Sequence, residues 1–343
     1  MATLSMLLLI LGVGGILLGL TWCLQSGFHA SNVKPFIVGS VSLSIGLLLP
    51  IDSTGPSTPS AASPTDPLST ELERVSNIKL PLSTTISSRL QLACKTGPQG
   101  EASCWGETMA LPSEPVHKFA LSREYGCALM QTGTIHCWGE AASEASRLSD
   151  HRFIDVAATL ESICGITKQG ALHCFGVDLG MPPPGLRWNQ LAGGGRHMCA
   201  LTEDGAAHCW GDNDHGQTAA PDVHPFTSLS AGHFHTCGLT DTGAIHCWGR
   251  NLEQQTEAPD GLGFTRVSAG WAHTCALDAN GMATCWGCGA RHANLLLGEE
   301  DACSPPRVPF DAIAAGDLWR TCGITTSNQT LCWGGLSRTG GPS

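Results

Sequence analysis

Polar and apolar positions divide the chain into unlike stretches. Residues 4–24 form a run of 21 without a charged side chain, long enough to cross a hydrocarbon core of about 30 Å as a helix. Residues 35–51 form a second uncharged run of 17, at the short end of that range. Between them lies Lys34, the only Lys or Arg in the first 70 residues. Positive-inside logic puts this short loop in the cytoplasm and everything after residue 51 outside. Residues 1–51 are therefore expected to be a membrane anchor of two apolar helices. Two other readings stay open. The first run could be a cleaved signal, although it lacks a basic leader and a small-x-small cleavage site. It could also be an apolar core element. Residues 52–84 follow as a stalk and lead-in, with Pro56, Pro59, Pro64 and Pro67 among Ser, Thr and Ala. Such a segment cannot build a core and acts as an extended spacer.

From residue 85 to 335 the apolar pattern shortens into small-residue runs that end in glycine, such as Leu229-Ser230-Ala231-Gly232 and Val267-Ser268-Ala269-Gly270. Cysteines punctuate them with one spacing. Cys94 and Cys104, Cys127 and Cys137, Cys164 and Cys174, and Cys199 and Cys209 each stand ten apart, as do Cys237 and Cys247, Cys275 and Cys285, and Cys322 and Cys332. Successive pairs begin 33, 37, 35, 38, 38 and 47 residues apart, the period of a repeat architecture. Each second cysteine is followed by an aromatic and a glycine, as in Trp105-Gly106, Phe175-Gly176 and Trp248-Gly249. Six residues after each first cysteine stands a glycine, or in the last unit Asn328. These are the residues that best tolerate a left-handed backbone.

A hairpin follows from that spacing. Asp241-Thr242-Gly243 reads as a three-residue loop with a bulge, which pairs Leu239 with Ile245 and Cys237 with Cys247. Cysteines on a non-hydrogen-bonded pair have Cα atoms about 4.5 Å apart, within the reach of a disulfide. Each unit is thus expected to carry its own staple. Zinc would want cysteines two to four apart, and this spacing supplies two ligands per unit. Cys288 and Cys303 are left to close an eighth bridge, and Cys23 stands alone near the membrane edge. Strand, hairpin and a variable return give three or four strands per unit, hence an all-β, seven-bladed propeller. Residues 336–343 form a short tail.

The run Ala231-Gly232-His233-Phe234-His235-Thr236-Cys237, with Asp241-Thr242-Gly243 and Trp248-Gly249-Arg250-Asn251, resembles the regulator-of-chromosome-condensation repeat. Trp210-Gly211-Asp212-Asn213-Asp214-His215-Gly216-Gln217 resembles that family's blade-ending tail most fully. The resemblance spans roughly 250 residues and implies a seven-bladed propeller that binds proteins. The cysteine-paired form resembles extracellular members, among them a secreted β-lactamase inhibitor and crinkly-type receptor ectodomains.

Composition narrows the function further. Seventeen cysteines point to an oxidising, extracytoplasmic compartment, at the cell surface or in a periplasm. A net charge of −11 without a basic cluster argues against nucleic acid, whose affinity comes from Lys and Arg on phosphates. No nucleophile elbow, His-Glu-x-x-His or phosphate loop is written in the chain, so neither an enzyme nor a cofactor is expected. A lyase with a metal in the central channel is the enzymatic alternative. His197, His235 and His273, and His136, His173, His208 and His246, recur at fixed repeat positions. They are expected to hydrogen-bond turn backbone or pair across strands rather than hold a metal. The Trp of each unit is expected to fill the gap between blades.

Residues that the repeat does not require are the binding candidates. Arg196, Phe234, Trp271 and Trp319 occupy the turn before the hairpin in four units, and such side chains make interface hot spots. Plugging the channel is their alternative role. Arg291 and His292 lie in the loop between Cys288 and Cys303. Asn328-Gln329-Thr330 is a glycosylation sequon at a hairpin tip. The expected function is a membrane-tethered module that binds a protein partner, or a cell-wall glycan; an accessory subunit of a membrane complex is the second reading.

Overall fold

The computed structural model describes residues 83–89, 92–105, 111–122, 125–139, 150–180, 182–223, 225–288, 302–317 and 319–334. Within them 21 strands assort into seven antiparallel sheets of three, each a blade. Blade 1 holds β1 (Thr85–Arg89), β2 (Leu92–Thr96) and β3 (Ala102–Trp105). Blade 2 holds β4 (Val116–Leu121), β5 (Tyr125–Met130) and β6 (Ile135–Gly139). Blade 3 holds β7 (Phe153–Ala158), β8 (Ser162–Thr167) and β9 (Leu172–Gly176). Blade 4 holds β10 (Trp188–Gly193), β11 (His197–Thr202) and β12 (Ala207–Gly211). Blade 5 holds β13 (Phe226–Ala231), β14 (His235–Thr240) and β15 (Ile245–Gly249). Blade 6 holds β16 (Phe264–Ala269), β17 (Thr274–Asp278) and β18 (Ala283–Trp286). Blade 7 holds β19 (Phe310–Ala315), β20 (Thr321–Thr325) and β21 (Thr330–Trp333).

The first strand of every blade packs beside the first strand of the next, from β1 through β4, β7, β10, β13 and β16 to β19, and β19 packs back on β1. The ring is closed. Each blade has three strands among the described residues, which resolves the expectation of three or four.

The hairpin register is the expected one. Cys237 pairs with Cys247 and Leu239 with Ile245, and the loop closes through Thr240 N–H to the Ala244 carbonyl at 2.9 Å. Asn328 has φ of 63°, taking the left-handed place that glycine holds in the other hairpins. All seven blade cysteine pairs are bridged, with Cα atoms 4.0–4.1 Å apart. Cys288 and Cys303 form the eighth bridge.

The middle strands are covered on both faces: every residue of β5, β8 and β11 is buried. Their small and apolar side chains follow from that position, because a strand between two sheet neighbours and two blades meets water nowhere. The core lies between blades. Ala192, Cys199 and Leu201 of blade 4 meet Phe226, Leu229 and Trp248 of blade 5. A buried aromatic removes about 150–250 Å² from water, a gross gain of about 4–6 kcal/mol. Trp210, Trp248 and Trp333 fill the gap between sheets as expected, at 7%, 8% and 3% exposed, while Trp105, Trp138, Phe175 and Trp286 at the same place are half-buried.

Residues 1–82, with both apolar runs, Cys23 and the proline-rich stalk, lie outside the described residues, as do Arg291 and His292. No helix of the described residues is long and apolar enough to cross a membrane.

Candidate functional site

The turns joining the first and second strands of blades 4 to 7 gather the candidate aromatic residues on one face. They are tied in sequence by backbone hydrogen bonds. Gly195 N–H donates to the Gly232 carbonyl at 3.2 Å, His233 N–H to Gly270 at 3.1 Å, and Trp271 N–H to Gly316 at 3.2 Å. Glycine is needed here because a Cβ on Gly232 would run into the Gly270 carbonyl oxygen. Each turn therefore rests directly on its neighbour, and the side chain that follows is pushed outward.

The result is a continuous array. Trp319 and Trp271 lie nearly parallel, 8° apart in plane with centroids at 6.1 Å. Trp271 meets His233 at 5.2 Å, and His233 stacks on Phe234 at 4.2 Å. His215 from the blade 4 tail meets the Phe234 edge at 5.2 Å, and the Arg250 guanidinium stands 5.4 Å from its centroid. Trp319 holds φ of 56°, a conformation that costs a bulky residue on the order of 1–3 kcal/mol. Phe234, Trp271 and Trp319 are only half-buried. Arg196 is exposed on the adjoining turn and pairs with Glu161 at 3.3 Å. The structure thus brings Phe234, Trp271 and Trp319 together, sets Arg196 beside them, and adds His233, His215 and Arg250, which were not binding candidates from the sequence. A pairing of turns one blade apart is the only signal that would have found them.

The axial channel is a separate space of about 210 Å³, lined by the first strands of all seven blades. His233 and Asp317 stand in its wall, whereas Phe234, Trp271 and Trp319 do not. Side chains of neighbouring blades satisfy the inner edges of β10, β13, β16 and β19. Asp155 accepts from Lys118 Nζ and from Leu191 N–H, both at 2.7 Å, and Gln190 accepts from Leu229 N–H at 2.9 Å. Ser230 and Ser268 accept in the same way from Ala269 and Ala315 N–H at 2.9 Å. Among the described residues no three His, Cys, Asp or Glu are grouped to hold a metal.

The repeat histidines have structural partners, though not all those expected. His197, His235 and His273 bond through Nε2 to Thr236, Thr274 and Thr321 of the following blade, at 2.8, 2.9 and 2.8 Å. They reach past their own turn because they are buried in the wall facing the next sheet. Burial drives the His235 pKa down to about 3, helped by His273, His197 and Arg250, and that of His273 to about 4. Thr236 and Trp248 both donate to the Gln217 carbonyl, at 3.2 and 2.9 Å; Thr274 and Trp286 do the same to Gln255, both at 3.0 Å. His173, His208 and His246 instead set their rings edge-on to Phe153, Trp188 and Phe226.

These units have recognisable relatives. The family model described as the regulator of chromosome condensation (RCC1) repeat matches residues 188–217, 226–255 and 264–292. Its first two matches end on Gln217 and Gln255, the carbonyls that anchor the next blade. The ectodomain of the Physcomitrella patens receptor kinase CR4 is similar, with 26% identity, a TM-score of 0.61, and coverage of 74% of this chain and 73% of that one. The crinkly ectodomain of the Arabidopsis thaliana receptor kinase ACR4 has 22% identity, a TM-score of 0.58, and coverage of 74% and 96%. Prp20p from Saccharomyces cerevisiae, described with its binding properties to Gsp1p and histones, has 17% identity, a TM-score of 0.53, and coverage of 64% and 72%. No curated protein sequence matches the chain. Residues 188–292 thus carry three regulator-of-chromosome-condensation repeats, and the seven three-stranded sheets fit the seven-bladed propeller that such repeats build.

Proposed function

We propose that the chain is an extracytoplasmic recognition module that captures a protein partner on the aromatic turn face. The observation that carries this reading is the parallel Trp271–Trp319 pair, half-exposed and held by a left-handed Trp319. Backbone strain persists where surrounding structure over-determines it, and exposed aromatics on rigid turns are the composition of binding hot spots. Eight disulfides among the described residues and the similarity to receptor-kinase ectodomains support an oxidising location. Residues 1–51 would tether the module through their two apolar runs, with the stalk setting its distance from the membrane. An accessory role in a membrane complex is the second reading, favoured by the same runs. Arg291 and His292, in the loop closed by Cys288 and Cys303, would extend the binding face.

Proximity labelling from the intact chain in native membranes identifies the partner. Trp271→Ala should then leave the thermal midpoint nearly unchanged and weaken capture about thirtyfold, the loss of about 2 kcal/mol typical of a hot spot. Unchanged capture by a folded Trp271→Ala protein would remove the aromatic face from the reading. A partner that survives deletion of residues 1–51 favours recognition by the propeller over assembly through the anchor.

A further inference from the structure

The seams between blades 4 and 7 are sealed by one recurring device. The residue eight places after the second cysteine is Gln217 in blade 4 and Gln255 in blade 5, 1% and 0% exposed, and its carbonyl takes the next blade's indole N–H. At the seam of blades 6 and 7 the Ala302 carbonyl does the same for Trp333 at 3.0 Å. The matching place in blade 3 is Pro182. At that seam Met198 stands where Thr236 and Thr274 stand, and Ser162 where the histidines stand. Ser162 turns away to the Val177 carbonyl at 2.6 Å.

A cavity of about 650 Å³ adjoins this seam, lined by Leu172, Phe175, Val177, Leu179, Pro182 and Trp210 among others. Trp210 is 7% exposed, and its indole nitrogen has no hydrogen-bond acceptor among the described residues, unlike those of Trp248, Trp286 and Trp333. Trp138 also lacks one, but its nitrogen is fully enclosed. The polar groups in the wall are already engaged. The Asp178 carboxylate accepts the Gly180 N–H at 2.8 Å, and burial together with His151 lowers the His173 pKa, which favours the neutral ring. The space lies within the roughly 300–1,000 Å³ of small-molecule sites, whose walls are mostly apolar with a few placed polar groups.

We propose that the cleft between blades 3 and 4 binds an uncharged, largely apolar small molecule that offers one hydrogen-bond acceptor to the Trp210 indole N–H. The lining holds no Lys or Arg and one carboxylate, the exposed Asp178, so an anion is excluded and the mostly apolar wall favours an uncharged skeleton. Phe175, Leu179 and Trp210 would give a flat aromatic or short branched skeleton an apolar wall to lie on. This site is independent of the aromatic turn face, so either can fail alone.

Isothermal titration of the intact chain with 1-naphthol tests it. One saturable site is expected. Pro182→Gln, which restores the plug of the neighbouring seams, should weaken binding at least tenfold. Trp210→Phe keeps the ring and removes the donor, and should weaken it several-fold, whereas Trp248→Phe at a sealed seam should leave the affinity unchanged. Leu179→Trp fills the cleft from its outer side and serves if Pro182→Gln fails to fold. Absence of saturable binding to the unaltered chain overturns the proposal, as does equal affinity in folded Leu179→Trp and Trp210→Phe.

Discussion

At the seam of blades 5 and 6 a buried histidine reaches a threonine, and that threonine shares a carbonyl with a tryptophan. At the seam of blades 2 and 3 the corresponding contact is Tyr125 on Phe175, rings 5.6 Å apart, within a cluster of Phe153, Val156 and Ile163. The backbone plan is the same in both. Away from the channel, the seams of blades 4 to 7 close with directional polar bonds and that of blades 2 and 3 with area, the Lys118–Asp155 pair of the latter lying at the inner strands. Buried polar groups are costly unless every one is satisfied, so the polar seams specify how neighbouring blades sit, while the apolar seams tolerate substitution and gaps. The cleft at blades 3 and 4 lies where one mode gives way to the other.

The largest separation of the two modes should come from truncating the seam aromatics. Trp248→Ala removes both a buried ring and the bond to the Gln217 carbonyl, and should destabilise by about 3–5 kcal/mol in chemical unfolding. Phe175→Ala, at a half-buried ring without a polar bond, should cost less. Equal losses would erase the distinction.

Acid should act on the polar seams through His235 and His273. The folded pKa values of His235 and His273, about 3 and about 4, lie below the ordinary 6.5. Below pH 6.5 the unfolded chain takes up protons that the fold refuses. Stability is then complete above that pH and declines toward pH 3–4. The slope is about 1.4 kcal/mol per pH unit for each histidine, or about 4 kcal/mol for the two by pH 5. Denaturant midpoints measured from pH 7.5 to 5 check this, and His235→Gln with His273→Gln should flatten the curve. A steep acid loss in that double variant would place the pH response elsewhere.

A finer test is Thr274→Val, which preserves shape but leaves His235 Nε2 without its partner. It should cost about 1–3 kcal/mol, the penalty of an unsatisfied buried group. The matched change Ile163→Val in the apolar half should cost about 0.5–1.5 kcal/mol. A neutral Thr274→Val would mean that the His–Thr bond orders the seam without stabilising it.

Much of the blade was legible in the chain because its determinants are local. A ten-residue separation around a glycine-ended loop puts Cys237 opposite Cys247 whatever the rest of the molecule does, and Asn328 could be assigned its left-handed turn for the same reason. The aromatic turn face was legible as a list of Phe234, Trp271 and Trp319, residues that the repeat leaves unexplained. Their stacking, with His233 and Arg250 completing it, was not. The histidines show the boundary plainly: their recurrence argued for a structural role within the blade, but His197, His235 and His273 bond to threonines of the next blade.

What the sequence determined by itself was the strand, the hairpin, the staple and the number of blades, since each depends on residues within one unit. Only the tertiary structure decided which residues meet across a seam. Thr274 lies 39 residues from His235, and Leu191 lies 36 from Asp155. Such pairs depend on the twist and pitch with which one sheet packs on the next, and no spacing along the chain encodes those directly. The same geometry left Trp210 beside a cleft where Pro182 replaces a buried glutamine.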